Sequence, residues 1–183
     1  IDKDVIIPKK FLSLISSNIS QAENINLYIN ENQVIVEVGN DVFYSRVIDE
    51  RFPDFESVIP KDNNKELIVN RLDLLSTVKR VSVLSNKTTR QIAINLTKDN
   101  IKITTEDNEK SSKGFENITG SFTGEDLIIG YNAAYLKDIL SHLTTDEVMI
   151  KLNSPISAGL FFPKEQLKDS DLTMLLMPIR LNN

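Results

Sequence analysis

The sequence predicts an α+β fold made of repeated β-α-β-β-β units, with antiparallel sheets carrying helices on one face. Three observations lead there. A short β-branched or Leu-rich run followed by a helical pattern occurs three times, as VIIPKKFLSLI from Val5, LIVNRLDLLSTV from Leu67 and LIIGYNAAYLKDIL from Leu127. The starts recur with a period of about 60 residues, which marks an internal repeat. After each helical pattern come short apolar runs separated by tight polar turns, the signature of hairpins rather than of parallel crossovers.

In the first unit, Pro8 suits the first turn of a helix, where a missing N–H costs little. The helix then carries an apolar stripe at Leu12, Ile15 and Ile19. INLYI, VIVEV and VFYSRVI read as its strands, with Asn30–Asn32 as the first turn. In the second unit Asn70 is a helix N-cap, and Asp73 stands three residues on in a capping-box place. Its stripe is Leu74, Val78 and Val81; its strands are IAINLT and NIKITTE around the turn Lys98–Asn100, then one strand near Phe115–Phe122. Asn132 caps the third helix, whose stripe is Leu136, Ile139, Leu140 and Leu143. EVMIKL, ISAGLFF and the terminal TMLLMPIR follow. Two such units fill one domain. The expected organisation is therefore half a domain at residues 1–62 and a complete domain at residues 63–183, joined by the polar stretch Ile59–Glu66.

Composition narrows the function. No apolar run approaches the roughly 18–20 residues of a membrane span, and Asp2, Lys3 and Asp4 interrupt any signal-peptide core at the start. With no cysteine, disulfides, thiolate catalysis and Cys-ligated zinc are excluded, which suits a reducing cytoplasm. The formal net charge of −5 argues against a uniformly basic nucleic-acid binder but leaves room for cations gathered on one face.

Enzyme chemistry has few candidates. The single histidine, His142, lies on the polar side of the third helix without the partners a triad needs. Asp49, Glu50 and Asp54 bring carboxylates together near FPDF; a metal-dependent α+β enzyme built on Asp49–Asp54 is the alternative reading. The helices offer more. Lys9 and Lys10 open the first, Arg80 sits late in the second and Lys137 lies on the third, a set that would contact phosphates without reading sequence. The tail is the third candidate. Met174–Leu176 reads as a closing core strand, whereas Pro178 cannot donate to a ladder and is expected to end the pairing. That leaves Met177–Leu181 partly uncovered, as one wall of a groove.

RFPDFESVIP (Arg51–Pro60), VLSN (Val83–Asn86), GYNAAYLKDIL (Gly130–Leu140) and the terminal MPIRL together resemble the C-terminal half of the bacterial DNA polymerase III beta subunit, the sliding-clamp family. The resemblance runs in order over essentially the whole chain. It implies the DNA clamp architecture, with residues 1–62 as the C-terminal half of the middle domain and 63–183 as the complete C-terminal domain. It implies a cytoplasmic, nucleoid-associated, non-catalytic subunit of the polymerase III holoenzyme, needing no cofactor and no metal. Two copies of the full-length subunit would close into a homodimeric ring around double-stranded DNA, without sequence preference. The partners implied are the polymerase III alpha subunit, the clamp loader and other proteins carrying a clamp-binding motif.

Carried over by motif, the peptide groove would be lined by Pro53, Val58, Asn132, Tyr135, Pro155, Ser157, Leu175, Leu176, Met177, Pro178, Ile179 and Arg180. Lys9, Lys10, Arg80 and Lys137 would face DNA, and Val83, Leu84, Glu106 and Asp107 the partner subunit. Ser57 and Thr89 depart from the arginine and the aromatic that some members carry there. The groove's other wall would come from a stretch before residue 1, and a half-domain without its mate is expected to self-associate.

Overall fold

The computed structural model describes residues 4–19, 24–98 and 100–181. Asp2 and Lys3 of the opening stretch, Asp99 of the expected turn, and Asn182 and Asn183 lie outside the described residues. The chain forms two compact units, Ile1–Asp54 and Phe55–Asn183.

In the first unit, α1 (Lys9–Ile19) precedes β1 (Ile25–Ile29), β2 (Gln33–Val38) and β3 (Asp41–Arg46), which form an antiparallel sheet in that order. Ile6 and Ile48 add an isolated antiparallel bridge. Pro8 sits just ahead of the helix, and its carbonyl accepts the Phe11 and Leu12 N–H groups at 2.9 and 3.2 Å. The Asn30 side chain closes the β1–β2 turn by accepting the N–H groups of Asn32 and Gln33. Phe11 and Ile15 pack on Val34, Val36 and Val38 of β2. The expected helical stripe needs one correction: Leu12 is exposed and Phe11 takes its place. Ile7, Phe11, Ile15 and Ile19 recur at i, i+4 intervals and share one face, from which Leu12 is rotated by about 100°. Leu27, Tyr28, Val42 and Tyr44 are left exposed on β1 and β3.

The second unit runs β4 (Lys65–Asn70), α2 (Arg71–Val81), β5 (Gln91–Thr97), β6 (Asn100–Asp107), β7 (Ser112–Ile118), β8 (Gly120–Thr123), β9 (Leu127–Asn132), α3 (Ala133–His142), β10 (Glu147–Leu152), β11 (Gly159–Pro163) and β12 (Met174–Leu176). Two antiparallel sheets result, ordered β12-β11-β10-β4-β8 and β7-β6-β5-β9. The polar stretch Ile59–Glu66 is anchored within this unit, because Asn63 Nδ2 donates to the carbonyls of Lys151 and Ala158, both at 2.9 Å. The Asn70 side chain accepts from the Asp73 N–H at 3.0 Å and that of Asn132 from Ala134 at 2.9 Å, so both helices start where the sequence places their caps. Both predicted stripes are inward: Leu74, Val78 and Val81 from α2, and Leu136, Leu140 and Leu143 with partly buried Ile139 from the α3 region. They meet Leu67, Ile92, Ile101, Ile103 and Ile129 from the two sheets in one core. Among the described residues no helix is long and apolar enough to cross a membrane.

The single strand expected near Phe115–Phe122 is two. β7 ends on the edge of the four-stranded sheet and β8 starts on the edge of the five-stranded one, with Thr119 between. Gly120 permits the crossing, since a Cβ there would lie 2.3 Å from Ile101 Cδ1 and 2.9 Å from the Ile68 carbonyl oxygen.

Inside the core, Tyr131 packs edge-on against Phe161, with ring centroids 6.1 Å apart. Its buried hydroxyl has no hydrogen-bond partner among the described residues, and burial pushes the phenol well above its ordinary pKa. A Cβ at Gly159 would stand 2.4 Å from that oxygen. Gly159→Ala should therefore destabilise the protein by about 1–3 kcal/mol through overpacking. Tyr131→Phe should leave stability unchanged or raise it by about 1 kcal/mol, because it deletes an unsatisfied buried group. The double variant should recover most of the Gly159→Ala loss in urea unfolding; additive losses would show that the hydroxyl is not what fills the space.

Candidate functional site

The tail is built from pairing outward. β12 pairs with β11 through Gly159–Leu176, Leu160–Leu175 and Phe161–Met174. That ladder ends at Leu176, just ahead of Pro178, in line with the sequence expectation, but the chain pairs once more beyond the proline, which the sequence did not foresee. The Ile179 N–H donates to the Gly130 carbonyl at 2.9 Å, forming an antiparallel bridge to β9. Proline removes one donor and turns the chain, and the next residue resumes on the edge of the other sheet. Gly130 admits it, because a Cβ there would lie 2.6 Å from the Ile179 carbonyl oxygen and 2.7 Å from Leu181 Cδ2.

Beside this crossing lies a depression of about 390 Å³ lined by Ile128, Gly130, Pro155, Ile156, Arg180 and Leu181. Of the predicted groove residues, Pro155 and Arg180 line it. Ser157 shapes it: its Oγ accepts the Ser154 N–H at 2.9 Å, and its own N–H donates to Ser154 Oγ at 3.2 Å, a closed turn that presents Pro155 and exposed Ile156. Tyr135 is 64% and Met177 58% exposed, large apolar surfaces with little cover. Leu175, Pro178 and Ile179 are half-buried, and Val58 is exposed. Pro53 is an exposed residue of the first unit.

Two of the residues assigned to the groove carry structural duties. Leu176 is buried in the core and backs the tail from behind. Asn132 caps α3 and also donates through Nδ2 to the Thr89 carbonyl at 3.1 Å. Leu181 belongs to the tail segment that the sequence assigns to a groove wall, whereas sequence reasoning missed Ile128, Gly130 and Ile156. Ile128 was findable, since it is an apolar residue at an outward position of an alternating strand.

The cations separate into two kinds. Arg80 Nε donates to Glu116 Oε2 at 3.0 Å and one terminal nitrogen to Oε1 at 2.5 Å, with a further bond to Thr77 Oγ1 at 3.1 Å. The predicted phosphate contact is thus committed to a carboxylate on β7. These hydrogen bonds, opposed in part by desolvation, hold the Glu116 carboxyl below its ordinary range and Arg80 above its own. Lys9 and Lys10 are exposed at the start of α1, and Lys137 is half-buried on the first turns of α3.

The residues that the sequence reading expects at a subunit contact lie around the edge strand β7. After α2 a short 3-10 turn, Ser82–Leu84, leaves Val83 80% exposed. Leu84 sits over Gly114 of β7, where a Cβ would come within 2.6 Å of its Cδ1. Phe115, the next residue of β7, is exposed on the opposite face of the sheet, with Lys102 Nζ 4.5 Å above its ring. Glu106 pairs across the strands with Lys113 at 3.2 Å. Asp107 does not face outward: it is buried and accepts the Glu109 N–H at 3.2 Å, holding the β6–β7 turn.

His142 is exposed and contacts the Asp138 carbonyl within its own helix at 2.8 Å. Among the described residues no group of three or more His, Asp or Glu side chains is arranged to hold a metal ion. The metal-dependent alternative thus finds no support here.

Family models match the chain in two parts: the DNA polymerase III beta subunit central domain over residues 1–54, and its C-terminal domain over residues 56–180. The chain is 31% identical over 180 residues to a beta sliding clamp from Vibrio cholerae, covering 98% of this chain and 48% of that protein. It is 33% identical to one from Haemophilus influenzae, covering 97% and 48%. A crystal structure of the Bartonella birtlesii sliding clamp bound to griselimycin superposes with a TM-score of 0.89 at 30% identity, over 98% of this chain and 48% of that one. The Caulobacter crescentus beta sliding clamp gives 0.90 at 27% identity, over 99% and 48%. The chain thus spans about half the length of the curated relatives it matches.

The Arg80–Glu116 pair sets a pH dependence. Because the folded-state value of Glu116 is lowered, the pair's contribution is present above the ordinary glutamate value of 4.5 and is lost as pH falls through the lowered one. Both side chains are near the surface, so the effect is small. Glu116→Gln should lower the thermal midpoint slightly at pH 7 and converge with the parent in acid; a difference that persists in acid would show that packing, not the ion pair, was lost.

Proposed function

This chain belongs to the DNA polymerase III beta subunit family, and we propose that it is part of a sliding clamp, a processivity factor that encircles duplex DNA and tethers other proteins to it. The observation that carries this reading is the apolar depression beside the tail, walled by Pro155, Ile156, Arg180 and Leu181, in a unit that also exposes two large apolar side chains, Tyr135 and Met177. An open apolar hollow with one cation at its rim and no convergent acid–base groups suits capture of a short peptide better than catalysis. Polymerase III alpha subunit, the clamp loader and other motif-bearing proteins are the occupants proposed.

The family matches support reading the first unit as half of a middle domain and the second as a complete C-terminal domain. In the whole protein the helices carrying Lys9, Lys10 and Lys137 would face the duplex, while Arg80, already paired, would contribute less. Val83, Leu84 and the β7 edge would meet a second subunit, since an edge strand with apolar neighbours is a ready template for pairing. The exposed row Tyr28, Val42 and Tyr44, on one face of the sheet, is the surface through which this chain itself would associate. Light scattering that gave a clean monomer at high concentration would remove that reading.

A fluorescent pentapeptide with glutamine, then leucine, and a terminal phenylalanine should bind weakly at the tail. Met177→Ala and Tyr135→Ala should each abolish the anisotropy change while leaving the unfolding midpoint within about 0.5 kcal/mol of the parent, as exposed positions do. Equal binding by parent and variants would overturn the groove assignment.

A further inference from the structure

A second, smaller depression lies where the Ser82–Arg90 segment meets the start of α3. It encloses about 260 Å³, and its lining includes Lys87, Arg90 and Lys137 and no carboxylate. In a chain of net charge −5 this is a local excess of positive charge. The ion pairs of the described residues use Arg80, Lys113, His142 and Lys164, and leave these three cations out.

The backbone holds the cluster in place. Arg90 has φ +49°, a left-handed conformation that glycine or asparagine would adopt at lower cost. It is fixed there from both sides: its N–H donates to the Asn86 carbonyl at 2.8 Å, and its carbonyl accepts from Ala133 of α3 at 2.9 Å. Asn132 adds the bond to the Thr89 carbonyl. A turn that favours glycine thus carries a guanidinium instead, and strained positions concentrate at binding sites. The neighbouring hydroxyls are committed, Ser82 Oγ to the Lys79 carbonyl and Ser85 Oγ to the Ser82 carbonyl. The Ala134 N–H is already satisfied by Asn132. The three cations, not the helix end, therefore make the site.

We infer that the depression ringed by Lys87, Arg90 and Lys137 is a phosphate-binding site. Three cations around one opening suit a tetrahedral oxyanion that carries up to two charges. A planar carboxylate would be satisfied by a single arginine fork. The phosphate has two sources, a nucleic-acid backbone or a free phosphate ion. The backbone source rests on the clamp reading, whereas the site itself does not.

The test uses the 183-residue chain, labelled for amide NMR, with inorganic phosphate in one arm and a short duplex of arbitrary sequence in the other, at constant ionic strength. Inorganic phosphate should shift the amides of Ser82–Arg90 and Ala133–Lys137, and Lys137→Gln should weaken the response about tenfold, the loss of one charge-assisted contact. Arg90→Gly should weaken it equally, yet leave the urea midpoint unchanged or higher, because glycine tolerates the backbone there. A residue serving only the turn would not separate binding from stability in this way. Shifts with both probes assign the site to the nucleic-acid backbone; shifts with phosphate alone assign it to the free ion. No shift in the parent, or unchanged binding in Lys137→Gln, overturns the site, and Lys137→Gln decides if Arg90→Gly does not fold.

Discussion

The second unit depends on a steric constraint at two glycines. Two sheets share one core, and the chain must pass between them at both edges. At Gly120 a Cβ would come within 2.3 Å of Ile101, and at Gly130 within 2.6 Å of the Ile179 carbonyl. With hydrogen in those places the sheets close over α2 and α3, and Leu74, Leu136 and Leu140 lose all contact with water. Burying such side chains is worth about 1.5–3 kcal/mol each, which no surface ion pair here approaches. The groove then follows, because the same crossing that closes the core lays Arg180 and Leu181 beside Pro155 and Ile156.

Electrostatics is distributed by the same logic. The protein is acidic, and several of its cations are spent internally. Arg80 grips Glu116, Lys164 meets Glu147, and Lys65 donates to the Asn153 carbonyl at 2.9 Å. Among the described residues, Lys9 and Lys10 in one unit and Lys87, Arg90 and Lys137 in the other enter none of these ion pairs. Net charge says nothing about such local arrangements, since field strength at a site depends on which charges are already paired.

Much of this was legible in the sequence, and for physical reasons. The caps at Asn70 and Asn132, and the stripes of α2 and α3, are local devices: one side-chain bond and one period of 3.6 residues. Their positions needed no knowledge of the rest of the chain. Leu12 misled because both Phe11 and Leu12 are apolar, and periodicity over a short helix does not choose between adjacent stripes. The β7–β8 split and the Gly130–Ile179 bridge were hidden because both are decided by contacts between residues far apart in sequence. The same holds for the committed state of Arg80, whose partner on β7 is 36 residues away. Asp107 looked like an exposed acid because spacing alone does not show which way a turn residue points.

The two crossings are unequal in strength. On one side β7 and β8 enter their sheets through seven and four residues; on the other, β12 holds through three and Ile179 through a single bridge. The domain is thus bound like a book, with a sewn spine at Thr119 and a light clasp at the tail. The clasp forms the groove wall, so an occupant pressed against it would also keep the covers shut. With the proposed peptide in place, occupancy and mechanical resistance to opening would be one property of the molecule.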